Sequence, residues 1–141
     1  MHASKAGRAL LRVIATMTMI GGFAADWNRT HLFNARWPPH AKFHDAMTIC
    51  LAFFLGGIGL LLLRRAAIDK ASLALGALLP GIFWFSQMLS FAFPNTGGLD
   101  AEFPELIPRV GSLALNELPF SILLVFFTAV GFVLSRQEYP R

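Results

Sequence analysis

The sequence predicts an all-α integral membrane protein, a single domain over residues 1–141 folded as a bundle of four transmembrane helices. Hydrophobic residues make up 55% of the 141 residues and charged residues only 14%, whereas soluble domains carry about 25% charged residues. The mean hydropathy is +0.57. Four apolar runs have lengths close to the roughly 20 residues that a membrane-crossing helix requires, and short polar segments separate them.

The four predicted spans follow the apolar runs. Pro38 and Pro39 are expected to start the second helix, because proline is tolerated in the first turn, where no intrahelical donor is needed. Gly56, Gly57 and Gly59 give the same helix a small face for close helix packing. The spans cover residues of about 10–25, 44–63, 72–93 and 111–134.

Basic residues predict the orientation of the bundle. Eight of the twelve lysines and arginines lie at the N-terminus, in the turn 64–70 and at the C-terminus, and four lie in the other two loops. By the positive-inside rule, both termini are expected in the cytoplasm and the loops 26–45 and 94–109 on the non-cytoplasmic side. The eight are Lys5, Arg8, Arg12, Arg64, Arg65, Lys70, Arg136 and Arg141, and the four are Arg29, Arg36, Lys42 and Arg109.

Composition also narrows the expected partners. No basic run with interleaved aromatic residues is present, so nucleic acid is not an expected partner. The single cysteine, Cys50, excludes an intrachain disulfide and a cysteine-based zinc cluster. The expected partners are the lipid bilayer and a lipophilic small molecule. Further copies of the chain, or a partner in a membrane complex, stay open as alternatives.

The segment 26–45, DWNRTHLFNARWPPHAKFHD, is where we expect chemistry. It holds three of the four histidines, two of the three tryptophans and the only Pro-Pro pair. A plain connector would need only Gly, Ser, Asn and a few charges. In the predicted topology this polar loop lies at the same end of the bundle as the end of helix three and the start of helix four. The sequence therefore predicts one outward-facing polar layer.

Two histidines and two carboxylates are the candidate catalytic residues. His40 and His44 are four residues apart on a predicted helix, so their imidazoles lie on one face. Together with Asp26 and Glu117 they could perform acid–base chemistry, since histidine titrates near neutral pH. This interpretation requires no cofactor. Alternatively His40 and His44, with His31 as a third ligand, could bind a transition metal, or both could simply lie at the membrane interface.

The two carboxylates occupy positions that are unfavourable without a partner. Glu117 is predicted inside the outer half of helix four. Placing an ionisable group in the membrane costs about 2.5–3.5 kcal/mol or more at the bilayer centre and less near the edge. Arg109 is a partner at long reach. Asp26 ends helix one, where the helix dipole disfavours a negative charge, which suggests a partner such as His31, His40 or Arg29. A solvated Glu117 at the helix end is the alternative.

Five residues of the same outer layer are candidate substrate-binding residues, because they are polar or aromatic. Trp37 also fits the aromatic belt at the membrane interface, and Trp84, which lies deeper, also fits the core. The five are His31, Trp37, Trp84, Gln87 and Asn116.

The polar loop resembles the signature of a small, uncharacterised membrane-protein family of bacteria and fungi. The matching pattern is D-W-N-x-T-H-x-F-N-x-x-W-P-P-H-A-x-F-H over residues 26–44. This resemblance implies no established activity. In architecture alone, the four-span layout is similar to EXPERA-type sterol isomerase and sigma-2-receptor proteins and to DoxX-like proteins, which use acidic residues, sometimes with His, in a lipid-accessible pocket.

Three hypotheses for function follow. The first is a membrane-embedded enzyme that acts on a lipophilic small molecule by His/carboxylate acid–base chemistry, such as isomerisation or cyclisation, in a pocket on the non-cytoplasmic side. The second is a histidine-rich metal-binding membrane protein. The third is a non-catalytic accessory subunit or ligand-binding protein. The sequence leaves open whether the chain is an enzyme at all.

Overall fold

Four long helices confirm the predicted all-α fold. The structure is a computed structural model that describes residues 2–65 and 68–138. All four helices are long and apolar enough to cross a membrane, which indicates a multi-pass membrane protein. Arg141, one of the basic residues that predicted the orientation, lies outside the described residues. The helices are α1 (His2–Asp26), α2 (Pro39–Leu63), α3 (Lys70–Ser90) and α4 (Glu117–Ser135).

The helices form an up-and-down bundle in which α1 packs against α2 and α4, and α3 packs against the same two helices. Consecutive helices run antiparallel, so the segments 27–38 and 91–116 meet at one end, which we call the polar end. Arg36 joins the two segments through an ion pair with Glu102 at 3.4 Å. The opposite end contains the start of α1, the turn after α2 and the end of α4, and we call it the basic end.

Local sequence explains where the helices begin. α2 starts at Pro39 after the extended Pro38, as the proline pair predicts. The Asp69 carboxylate caps α3 by accepting from the Ser72 N–H at 2.7 Å, and this hydrogen bond lowers the pKa of Asp69. The side chain of Asn116 caps α4 by accepting from the Leu118 N–H at 3.0 Å.

Two helices, α1 and α4, begin well away from the starts of the predicted spans. α4 begins at Glu117 rather than near residue 111, because Asn116 caps it there and the preceding residues pair as a short antiparallel ladder. The ladder joins Arg109–Val110 to Leu113–Ala114, and Gly111 turns between them with a φ of 59°. α1 begins at His2 rather than near residue 10. Three 3-10 turns complete the described part of the chain, at Leu99–Ala101, Pro104–Leu106 and Arg136–Glu138.

Glycines allow α1 to approach both of its neighbours closely. A Cβ on Gly56 of α2 would lie 2.6 Å from the Ala15 carbonyl oxygen and would also collide with the backbone of Met19. At the contact with α4, a Cβ on Gly7 would lie 2.6 Å from the carbonyl oxygen of Gly131. Small residues of this kind let helix backbones meet in lipid, where van der Waals packing drives helix association.

The other two helix pairs meet in the same way. A Cβ on Gly59 of α2 would lie 2.7 Å from the Pro80 ring of α3, and one on Gly76 would lie 2.7 Å from Leu63. Between α3 and α4, a Cβ on Gly81 would lie 3.1 Å from the Thr128 methyl group. Every neighbouring pair of helices therefore has a contact that depends on a glycine.

Two polar contacts join the helices through their interior. Trp84 of α3 is buried and donates its indole N–H to the Thr18 hydroxyl of α1 at 2.8 Å, across the diagonal of the bundle. At the basic end, the Arg12 guanidinium donates to the carbonyl oxygen of Leu63 at 2.9 Å and 2.7 Å. This contact satisfies a carbonyl that the end of α2 would otherwise leave without an intrahelical partner.

A matched pair of glycine substitutions tests the packing between α1 and α2. Gly56→Ala should lower the thermal stability of the detergent-solubilised protein, because the new methyl group meets backbone, and overpacking of this kind costs about 1–3 kcal/mol. Gly57→Ala is the control, because its Cβ would lie 3.6 Å from the sulfur of Met19 and alanine favours the helix. Equal melting temperatures for the two variants would contradict this packing.

Candidate functional site

The polar end contains a cavity of about 260 Å³. It lies between the last turns of α3, the first turn of α4 and the two connecting segments. Four of the nine predicted site residues line it, namely His31, Trp37, Gln87 and Glu117. The complete lining consists of Thr30, His31, Trp37, Gln87, Ser90, Phe91, Gly97, Gly98, Leu99, Glu102 and Glu117.

Two asparagines give the segment after α1 its shape. Asn28 donates its side-chain amide to the carbonyl of Ala25, and its Oδ1 accepts from the Thr30 N–H at 2.8 Å. Asn34 is buried, donates to the Thr30 carbonyl at 3.1 Å and accepts from the Arg36 N–H at 2.9 Å. Side chains of this type replace backbone partners in irregular segments. They hold the intervening His31 in one position.

His31 lies beside the carboxyl group that ends α1. Its Nε2 lies 3.7 Å from Asp26 Oδ1, and both side chains are only about one-fifth exposed, at 19% and 20%. The Trp37 ring meets the imidazole edge to face, with centroids 5.6 Å apart. His31, one of the three partners expected for Asp26, is the one that lies beside it at this distance.

The hydrogen-bond network fixes the position of one proton on His31. Because the Asn28 amide nitrogen donates to Ala25, the Asn28 Oδ1 is an acceptor. The Thr30 hydroxyl has one proton and donates it to this oxygen at 2.6 Å. The hydroxyl oxygen therefore accepts from His31 Nδ1, 2.8 Å away, so Nδ1 carries a proton. Nε2 faces the Asp26 carboxyl group at 3.7 Å, which is longer than a direct hydrogen bond.

Glu117 connects α4 to the loop that closes the cavity. Both of its carboxylate oxygens lie 3.1 Å from the Leu99 N–H, which donates to them. Gly98 packs directly against this carboxylate and the Asn116 amide, so a side chain at position 98 would collide with both. The carboxylate also lies at the positive end of α4, where the helix dipole favours a negative charge. Glu117 is thus anchored at the end of the helix rather than placed within the span.

A buried hydroxyl connects Glu117 to Gln87. Ser121 lies one turn after Glu117 and is fully buried. Its Oγ is 2.7 Å from both the Gln87 side-chain oxygen and the Glu117 main-chain oxygen. Sequence reasoning missed Ser121, and the only available signal was its position four residues after Glu117 on a predicted helix.

An apolar groove between α2 and α3 continues from the cavity. It has a volume of about 430 Å³ and shares Gln87 and Ser90 with the cavity. We call it the α2–α3 groove. Apolar side chains of the two helices form most of its wall. Its remaining lining residues are Thr48, Leu51, Leu55, Ile82, Phe83 and Ser86.

His40 and His44 do not line the cavity. Both are exposed, and their Nε2 atoms lie 3.1 Å apart. The next residue along α2, Asp45, is partly buried instead, because successive helical residues point about 100° apart. Asp45 interacts electrostatically with Asp26 and His31. Its Oδ2 is buried and, within the described part of the chain, has no hydrogen-bond partner. Sequence reasoning placed Asp45 at the end of the polar loop but did not name it as a candidate.

Two further predicted site residues have structural positions. Trp84 lies in the core, where it donates to Thr18. Asn116 caps α4 and donates its amide to Asp100 at 2.6 Å. Arg109, the predicted long-reach partner of Glu117, forms its ion pair with Asp100 at 3.8 Å. Neither Trp84 nor Asn116 lines the cavity.

The structure does not bring the three histidines of the metal hypothesis together. His31 faces Asp26, while His40 and His44 face each other. Among residues 2–65 and 68–138, no group of three His, Cys, Asp or Glu side chains could hold a metal ion.

Comparison with known proteins gives one match. A family model described as a family of unknown function, DUF6640, matches residues 10–136. The matched range contains the polar loop, the cavity and nearly all of the four helices. No curated protein and no solved structure matches the chain.

Two substitutions at Glu117 separate its charge from its hydrogen bond. Glu117→Ala removes the acceptor for the Leu99 N–H, so amide exchange at Leu99 should become at least about tenfold faster, since hydrogen bonds to charged groups contribute about 1.5–3 kcal/mol. Glu117→Gln keeps an oxygen acceptor and should retain most of the protection. Hydrogen exchange followed by mass spectrometry measures both. Unchanged exchange in Glu117→Ala would show that Glu117 does not anchor this loop.

Proposed function

The chain belongs to DUF6640, a family of unknown function, and we propose that it is a membrane-embedded enzyme that transfers protons on the polar end of a lipophilic small molecule. One observation carries the proposal. His31, which lies beside the Asp26 carboxyl group, lines a cavity that continues into an apolar groove between two membrane-crossing helices. The cavity supplies the acid–base groups, and the groove supplies room for the apolar part of the substrate.

The substrate enters from the bilayer through the α2–α3 groove. Leu51, Leu55 and Ile82 offer it an apolar surface, and Gln87 stands where the groove meets the cavity. An amphiphile with its apolar part in this groove places its polar group beside His31 and Glu117. Sites of this kind, apolar with a few convergent polar groups, are typical of small-molecule binding.

The charges around the cavity favour a neutral or cationic polar group on the substrate. Among the described residues that line the cavity, none is Lys or Arg, and two are glutamates. Glu102 is already paired with Arg36, whereas the hydrogen-bond donor to the Glu117 carboxylate is the uncharged Leu99 N–H. An anionic headgroup would meet this carboxylate without a compensating cation.

Proton transfer uses the pair His31–Asp26 together with Glu117. When the His31–Asp26 pair carries a proton on His31, it gives this proton to one substrate atom, and the Glu117 carboxylate takes a proton from another atom. A proton then passes from Glu117 to the His31–Asp26 pair, and this transfer returns both groups to their starting states. Isomerisation, cyclisation and hydration all fit this exchange, because each needs one proton donor and one acceptor and no net oxidation.

Two neutral residues position the substrate in this proposal. Trp37 covers one edge of the His31 imidazole and offers an aromatic surface to the substrate. Gln87 is held by the buried Ser121 at 2.7 Å, so its amide presents a fixed polar group at the entrance from the groove. Asp45 interacts electrostatically with both Asp26 and His31 and adds a third titratable group beside the cavity.

The polar end lies on the non-cytoplasmic side of the membrane in this proposal. Six of the eight acidic residues lie in or near the segments of the polar end, whereas seven of the eleven basic residues that the structure describes belong to the basic end. The positive-inside rule places the basic end in the cytoplasm. The cavity then opens away from the cytoplasm.

Product formation in living cells tests the enzymatic proposal even though the substrate is unidentified. Lipophilic extracts of cells that express the wild-type chain should contain a compound that is absent from cells with Asp26→Asn or His31→Gln. Its mass should equal that of a depleted precursor, or that mass plus one water. Loss of general acid–base catalysis lowers such rates by about 10²–10⁴-fold. Untargeted mass spectrometry of the extracts provides the measurement.

Glu105→Gln is the matched control for these variants. Glu105 is an exposed carboxylate of the polar end that does not line the cavity, so its variant should form the product at the wild-type rate. Each variant must be present in the membrane at the wild-type amount. A lipophilic molecule that co-purifies with the wild-type chain, without any product difference, would identify a carrier and overturn the enzymatic proposal.

Cysteine labelling tests the orientation. In a Cys50→Ala background, Glu105→Cys should react with a membrane-impermeant maleimide on intact bacterial cells, because the polar end then faces outward. Gln137→Cys, at the exposed basic end, should react only after the cells are permeabilised. The reverse labelling pattern would place the cavity on the cytoplasmic side.

A further inference from the structure

His40 and His44 form a pair that the proposed reaction does not use. They lie in the first two turns of α2, directly after Pro38 and Pro39. Both side chains are exposed, and their rings meet nearly perpendicular with centroids 4.5 Å apart. Their Nε2 atoms lie 3.1 Å apart.

This separation matches that of two ligands on one metal ion. Zinc–imidazole bonds measure about 2.0–2.1 Å. Two such nitrogens lie about 3.3 Å apart on a tetrahedral ion and about 2.9 Å apart when they meet the metal at a right angle, as follows from the same bond length. The observed distance of 3.1 Å lies between these values. The separation of the two nitrogens is therefore compatible with one ion at bonding distance from both.

The pair is arranged for this role before any ion binds. Two ring nitrogens at 3.1 Å must share one proton, because two lone pairs or two N–H groups would repel each other. A metal ion can take the place of that proton. Phe43 supports both rings, with the His40 ring parallel to it at 6.2 Å and the His44 ring edge-on at 5.5 Å.

We propose that His40 and His44 form a two-ligand site for a divalent transition metal ion, Zn²⁺ or Cu²⁺, whose remaining positions are filled by water. Neutral imidazole is a suitable ligand for both ions. The site differs from the three-histidine arrangement, because His31 is held by Asp26 and Thr30. The positive end of α2 opposes a cation at this position. The affinity is therefore lower than that of a closed four-ligand site.

Isothermal titration of the purified chain with ZnCl₂ or CuCl₂ tests the proposal. The full-length protein, purified in detergent through an affinity tag without histidine, should bind one ion per chain. His40→Gln and His44→Gln should each weaken binding at least about tenfold, since even the loss of a supporting group around a metal costs this much. Electron paramagnetic resonance of the Cu²⁺ complex should show two equatorial nitrogen ligands.

His31→Gln is the matched control, because it removes an imidazole of the same polar end and leaves the pair intact. This variant should bind the ion with wild-type affinity. Wild-type binding by both His40→Gln and His44→Gln overturns the proposal, as does binding that His31→Gln abolishes. Because both histidines of the pair are exposed, thermal melting of these variants should match that of the wild type and exclude misfolding as the cause.

Discussion

Each of the four neighbouring helix pairs comes into close contact at a glycine, and the positions of the functional groups follow from these contacts. In a bilayer, apolar side chains gain little by leaving lipid for protein, so close backbone approach supplies much of the association energy. Gly7 and Gly56 allow α4 and α2 to pack closely against α1, and Gly59 and Gly81 allow α2 and α4 to pack closely against α3. With the helices held this closely, the bundle interior holds small hydroxyl side chains such as Thr18 and Ser121, and the charged groups lie toward its ends.

The polar end shows how helix termini can be used for both structure and chemistry. Asn28 and Asn34 shape the segment after α1 with their own side chains, and in doing so they fix His31 beside Asp26. Glu117 holds the Leu99 amide while it lines the same cavity. A group that anchors a loop is also well preorganised, because its position does not depend on a bound ligand.

Much of the fold follows from local sequence, and its exceptions have local causes. Apolar runs of membrane-spanning length gave the four helices, and Pro39 marked the start of α2. α4 starts later than the predicted span 111–134, because Asn116, which lies within that span, is a helix cap. Gly111 then turns a short ladder where a helix was expected. In both cases the residue has a local role that average hydropathy cannot express.

The sequence by itself determined that polar residues gather at one end of a four-helix membrane bundle. The apolar runs define four spans, and alternating spans place the segments 26–45 and 94–109 at the same end. Only the tertiary structure decided which of these residues meet. The rotation of α2 about its axis turns His40 and His44 outward and Asp45 inward. The path of the segment after α1 brings His31, rather than those two, to the cavity. Spacing along a helix shows which residues share a face, but the packing of neighbouring helices determines what that face contacts.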